Sequence, residues 1–401
     1  MSDNYCIALQ PICDRDLNHV ADELLYRSGV AHKSANISDA MMATARACNV
    51  AFYEVGIEKL IGQRQIFFNA PRDWIVDPTL MPPNAEQVVV EVLENVVGDA
   101  EVIEALATIR RLGYAIALDD FILNDQTSPL LQVATIVKID AWQDFTLQDV
   151  FFYKNKGIKL LAEKVEEVED FERLRELGFD YFQGYFYAKP QLHQATSRQR
   201  SSNQAAQIRI LAALNQEFVD YQHLEQLIVQ DPHLTFMLLK YTNSAYFGRF
   251  NRAVTVQQAL TALGLRQVRT IVMTVMLANN GPASRLLLPC VLTRASMCYQ
   301  VAQELGTVDP ELAFMVGMLS QMDLFMGMPL SELLKQLQLT PEEMQVILKR
   351  TGELGCILNT VEAFEKAQTR SLNYIDARGL NELWLNSRVW VEETLKSTLN
   401  Y

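Results

Sequence analysis

A chain of 401 residues is too long for one ordinary domain and reads as two. Hydrophobic residues at 49% and charged residues at 21% suit a globular protein, and no apolar run is long enough to span a bilayer, so no membrane partner is expected. The formal net charge of −13 argues against a non-specific grip on duplex nucleic acid, although a few local arginines and bound cations could still neutralise a small anionic ligand.

The opening MSDNYCIALQP lacks a basic start followed by an apolar region, and the six cysteines (Cys6, Cys13, Cys48, Cys290, Cys298, Cys356) include no CxxC pair. Reduced thiols and a cytoplasmic location are expected. From Tyr5 to about Pro190, short apolar runs alternate with amphipathic stretches, the pattern of βα units and a parallel sheet. The runs are CIALQP, RQIFFN, QVVVEVLE, YAIALDD, ATIVKID, IKLLAE and DYFQGY. Each ends in polar residues: Gln10, Asn69, Glu91, Asp119 with Asp120, Lys138 with Asp140, Glu163, and Gln183. Between them, Asp99–Gly113 and Glu166–Gly178 read as helices closed by a glycine stop.

The run Tyr114–Phe121 is the most telling of these. Four apolar residues, Ala115 to Leu118, stop at two adjacent carboxylates. Neighbouring residues of a strand point to opposite faces, so Asp119 and Asp120 can reach a common point only where the strand gives way to a loop. Hard divalent cations bind between carboxylates placed in this way, although an Asp-Asp pair also starts turns and caps helices. Strands that finish one after another in such side chains suit a (β/α) barrel, whose site is assembled from the C-terminal ends of several strands. An open doubly wound sheet is the alternative, but no Gly-rich phosphate loop follows the first strand.

His193–Gln204, reading HQATSRQRSSNQ, has the composition of a linker. Beyond it, from Ala205, apolar residues recur at helical spacing, interrupted by Gly281-Pro282, Pro289, Pro310, Pro329 and Pro341. The expected architecture is therefore α/β: a TIM-like (β/α) barrel over 1–192, a linker over 193–204 and an all-α domain over 205–401.

The first half resembles the EAL domain, a bacterial family that binds and hydrolyses cyclic di-GMP on a (β/α) barrel. The signature tripeptide stands as Glu23-Leu24-Leu25 within DELLYR, its middle alanine replaced. Gln10-Pro11-Ile12 matches the opening QPI, Asn69 ends the third motif, and Glu91 with Glu94 matches ExxE. Asp119-Asp120-Phe121 matches DDF, Lys138-Ile139-Asp140 matches KID, Ala162 to Glu166 matches AExVE with Lys164 in place of a glycine, and Gln183 to Pro190 matches QGYxxxKP.

The resemblance implies roles. Glu23, Asn69, Glu91 and Asp119 would hold one divalent ion, and Asp119 would bridge to a second held with Asp120 and Glu163. Hard oxygen donors of this kind suit Mg²⁺ or Mn²⁺. Lys138 would orient the attacking water or neutralise a phosphate, Gln183 would help position that water, and Arg27 would pair with a phosphate of the ligand. Gln10, Asp140 and Glu166 complete the expected ligand contacts, with Glu166 and Glu94 also able to brace loops. A homodimer is implied too.

One departure is the loop ILNDQTSPLL (Ile122–Leu131), where the family has a Gly-rich segment that Ile122 and Leu123 cannot imitate. Two readings stay open, a metal-dependent phosphodiesterase or a cyclic di-GMP receptor or scaffold of weak or no turnover.

The second half resembles the HDOD family, a helical relative of the HD phosphohydrolases. The matching residues are Gln230–Gly248 (QDPHLTFMLLKYTNSAYFG) and Val256–Val272. The helix expected over Ala313–Gly327 carries Ser320 and Gln321 where a His-Asp pair would bind metal, and no histidine follows His233. This half is expected to be a non-catalytic domain that engages an unknown protein partner. Its methionines, Met315, Met318, Met322, Met326 and Met328, suit a core more often than a groove.

Overall fold

Strand-forming runs in the first half and helical ones in the second give two units, Met1–Tyr187 and Ala188–Tyr401. The computed structural model describes residues 5–28, 45, 48–188, 201–214, 216, 218–230, 232–242, 255–278, 282–326, 329–337, 339–368 and 375–399.

Eight strands close the first unit into a barrel: β1 (Tyr5–Asp14), β2 (His19–Ser28), β3 (Gln65–Ala70), β4 (Val88–Val92), β5 (Ala115–Leu118), β6 (Ile136–Asp140), β7 (Lys159–Glu163) and β8 (Tyr181–Gln183). From β2 to β8 the neighbours are parallel. β1 runs against both β2 and β8, which corrects the expectation of a wholly parallel sheet. The reason is local. The link from β1 to β2 is a tight turn in which the Asp14 carboxylate accepts hydrogen bonds from the backbone N–H groups of Asp16 and Asn18, both at 2.9 Å, and so short a link permits only a hairpin. Gln10 consequently sits within a long strand rather than at its end.

Period-two alternation sorts the barrel interior into tiers. Ile12, Ala21, Phe67, Val89, Ala117, Ile136 and Leu161 form a buried apolar cluster, with Tyr181 packed against it. This tier plugs the barrel. Two residues further toward the C-terminal ends of the parallel strands stand Glu23, Asn69, Glu91, Asp119, Lys138, Glu163 and Gln183. Gln10, two residues before Ile12 on the reversed strand, completes this polar tier.

Helices cover the outside. Ala100–Arg111 is capped by Asp99, whose side chain accepts from Val102 N at 2.9 Å, and it buries Val102, Ala105, Leu106 and Ile109 against the sheet. Val168–Leu177 ends at Gly178, which takes the left-handed conformation at φ 108° that glycine allows. Phe171 stacks on Phe186 with ring centroids 4.7 Å apart, and burying each ring contributes about 1.5–3 kcal/mol. Just after β8, Gly184 lies so close to the neighbouring backbone that a Cβ would fall 2.1 Å from the Val165 carbonyl oxygen.

Every regular element among the described residues of the second unit is a helix, as expected. Pro282–Leu305 packs against both Pro310–Leu319 and Ala377–Leu399. A Cβ on Gly317 would lie 2.9 Å from Ala295 Cα, so glycine permits that close approach. The helix expected over Ala313–Gly327 is broken: it stops at Leu319, and a separate turn begins at Asp323. Ser320 is its C-cap, and uniformly apolar flanks hid the break from the sequence. Met315, Met318 and Met322 are core; the side chains of Met326 and Met328 lie outside the described residues. Residues 231 and 243–248 of the Gln230–Gly248 stretch and 193–200 of the linker, whose last four residues open the helix Ser201–Leu214, also lie outside the described residues.

Candidate divalent-cation site at the barrel mouth

The polar tier gathers its charges around one lysine. Lys138 is 1% exposed, and its Nζ lies 2.7 Å from Glu163 Oε1, 3.1 Å from Asp119 Oδ1 and 3.5 Å from Glu23 Oε2, with Glu91 Oε1 in close contact. Each acid comes from a different strand or strand end, so only closure of the barrel assembles the cluster. Gln183 Nε2 donates to Glu23 Oε2 at 2.6 Å, the same oxygen that faces Lys138, and holds that carboxylate in place. By register, Asn69 stands directly beside Glu91, and Gln10 is paired with Glu23 across the hairpin.

Four carboxylates against one ammonium leave an excess of negative charge in a region of low dielectric. Burial raises Glu91 well above the ordinary carboxylate range even though Lys138 opposes the shift. Glu163 is pushed up to about 7, again chiefly by burial. For Lys138, burial alone would lower the pKa, but Glu91, Glu23, Glu163 and Asp119 together raise it. Ligand oxygens of Glu23, Glu91 and Glu163 lie within 4.8 Å of one another. Glu91 Oε2, Glu163 Oε2 and Gln183 Oε1 are buried without a hydrogen-bond partner. Hard oxygen donors, surplus negative charge and unsatisfied lone pairs fit a hard divalent cation.

The remaining expected residues are placed apart from this cluster. Asp120, in the turn after β5 at φ 40°, pairs with a different lysine, its Oδ1 lying 3.2 Å from Lys164 Nζ. Asp140 Oδ2 lies 2.9 Å from the same nitrogen, while Asp140 Oδ1 accepts from Trp142 N at 2.9 Å. Glu166 and Glu94 are exposed. Arg27 lies on β2 with its Cα opposite Cys6, and its side chain is outside the described residues. The geometry differs from the partition implied by the resemblance, because Glu163 joins Glu23 and Glu91 whereas Asp120 does not join Glu163. A pocket of about 450 Å³ opens at Asp119, the one residue of the tier that lines it, and its lining also includes Glu94, Asp120, Asp140 and Lys164.

The sequence of this unit matches the EAL domain family over residues 61–190, and that of the second unit matches the HDOD domain family over residues 202–351. The chain is an EAL domain joined to an HDOD domain. It is 29% identical over 368 residues to the cyclic di-GMP phosphodiesterase CdgJ of Vibrio cholerae, a match that covers 90% of this chain and 85% of the relative. It is 26% identical over 400 residues to the uncharacterized protein YuxH of Bacillus subtilis, covering 96% and 97%. Among solved structures, an EAL domain protein of Listeria monocytogenes is 24% identical with a TM-score of 0.37, covering 48% of this chain and 93% of its own.

The EAL domain's most informative unanticipated residue is Lys164. Its signal in the sequence was a lysine directly after the acid Glu163, within the motif AEKVE. In the altered loop, Ile122 and Leu123 are exposed, and Asn124 Oδ1 accepts from the backbone N–H groups of Gln126 and Thr127, so this loop holds its shape without glycine. In the HDOD domain, Arg294 Nη1 donates to Ser320 Oγ at 3.2 Å and to Glu362 Oε1 at 3.3 Å, and Arg294 also pairs with Glu365. A guanidinium thus stands beside Ser320, one of the two residues expected where HD enzymes place their ligands.

Proposed function

We propose that the EAL domain binds cyclic di-GMP together with Mg²⁺ or Mn²⁺ and opens it to the linear dinucleotide. The observation that carries this reading is the polar tier, in which four carboxylates from four strands face one buried lysine directly above an apolar plug. The relationship to CdgJ, whose name gives that activity, supports the same reading. Two divalent ions, when bound, would stabilise the entering and leaving oxygens of an in-line displacement and lower the pKa of a bound water.

The chain's own residues do the rest. Glu23, Asn69, Glu91, Asp119 and Glu163 supply hard ligands, and Asp120 is the remaining acid within reach of a second ion. Gln183 holds Glu23 in one orientation through its 2.6 Å hydrogen bond. Lys138, relieved of part of its carboxylate cage by incoming cations, is available to a phosphate oxygen or to the attacking water. Arg27 supplies a bidentate phosphate contact, and Gln10, Asp140 and Glu166 face the nucleotide. The HDOD domain acts as a non-catalytic module for a protein partner, supported by Ser320 and Gln321 in the metal positions and by Arg294 beside Ser320. Domains over 1–192 and 205–401 joined by 193–204, a cytoplasmic location and a homodimer complete the proposal.

A receptor that holds the nucleotide without turnover is the second reading. Asp120 favours it, since that acid is engaged by Lys164. Incubating the purified protein with cyclic di-GMP and Mn²⁺, with nucleotides followed by chromatography and binding measured in Ca²⁺, separates the two. Linear product that disappears in Asp119→Asn is the expected result. Tight binding without product would establish the receptor, and neither binding nor product would overturn both.

A further inference from the structure

Lys164 adopts φ 54°, in the left-handed region that side chains rarely occupy, and Asp120 adopts φ 40°. These two strained residues meet. Trp142 N fixes Asp140, Asp140 holds Lys164 Nζ at 2.9 Å, and Lys164 in turn holds Asp120 at 3.2 Å. The arrangement is distinct from the carboxylates around Lys138: among the described residues Lys138 pairs with Glu23, Glu91, Asp119 and Glu163, whereas Lys164 pairs with Asp120 and Asp140.

We infer that Lys164 is a built-in cation at the Asp120 side of the mouth, so that the EAL domain takes its first divalent ion tightly and its second weakly. The inference rests on the metal-site reading above. A first ion draws on the carboxylates of the polar tier, four of which surround the single ammonium of Lys138. A second must recruit Asp120, which already shares the Lys164 ammonium with Asp140, and Lys164 must then either leave or stand beside a dication. Lys164 and Asp120 are 52% and 44% exposed at their side chains, so their pair is weak and breakable. Together with the repulsion between an ammonium and a dication, this weakens the second ion by about tenfold to a hundredfold without excluding it.

Mn²⁺ titration of the full-length protein, with free Mn²⁺ read by electron paramagnetic resonance and no nucleotide present, tests this directly. Wild type should bind one ion tightly and a second at least tenfold more weakly. Lys164→Gly, which relieves the backbone strain and so folds at least as readily, should tighten the second step about tenfold or more and leave the first unchanged. Lys164→Arg should keep the wild-type pattern. Two equivalent ions in wild type, or an unchanged second step in Lys164→Gly, would overturn the inference and leave the metal site standing. Absence of Mn²⁺ binding in all three proteins would overturn the metal site itself and the inference with it.

Discussion

Lys138 and the acids around it stand or fall together. Removing one member of a buried ion cluster leaves uncompensated charge, a loss of about 3–5 kcal/mol. Lys138→Met should therefore unfold at much lower urea than wild type when a chelator is present, and saturating Mn²⁺ should restore most of the difference by neutralising the same carboxylates. Equal stability of the two proteins in chelator would show that the acids do not depend on Lys138. Much of this cluster was legible in the sequence, because the run of apolar residues before each acid marks a strand end. What could not be read was who pairs with whom. That Asp120 serves Lys164 while Asp119 serves Lys138 is decided by the through-space meeting of the loops after β5 and β7.

At the scale of elements, the turn after β8 carries the tightest steric demand. Gly184 adopts φ 149° with the Val165 backbone where a Cβ would stand, and it directly follows Gln183, which orients Glu23. Gly184→Ala should cost about 2–4 kcal/mol in urea unfolding through strain and overpacking. Gly157→Ala is the control: φ is 73° but nothing lies within 4 Å of its Cβ, so only the backbone term of about 1–2 kcal/mol applies. Equal losses would mean that the contact with Val165 is relieved by a small shift. Two element-level features escaped the sequence reading. β2 was hidden because His19, Asp22 and Glu23 break its apolar run; Asp22 is buried toward His19 and Arg64, at 3.1 Å from each. The direction of β1 was hidden because an apolar run looks the same whichever way the strand travels.

Across the whole molecule, the thiols report burial in both units. Burial raises Cys48 to about 12 and pushes Cys13 and Cys298 higher still, against an ordinary value of 9.0. A thiol whose folded pKa exceeds its unfolded one contributes fully below pH 9, and that contribution is lost as the pH climbs from 9 toward 12. The unfolding free energy from urea titration should thus fall between pH 9 and 11, by up to about 1.4 kcal/mol per pH unit for each thiol. Cys48→Ala should flatten the slope, and an unchanged slope would place its origin in other groups. At pH 8, only the partly exposed Cys290 and Cys356 should react quickly with a thiol reagent.

The pairing of β1 with β8 has a consequence for assembly. Ile12 and Gln183 are register partners, so the stave laid down first is sealed by the one laid down last. That seam also delivers Gln183 to Glu23. Contacts so distant in sequence form late and slowly. Until residue 183 has been made the growing barrel therefore remains an open, unsealed sheet, and the step that completes the enclosure is the same step that sets Glu23. A chain halted before its eighth strand lacks both, which couples competence to completeness.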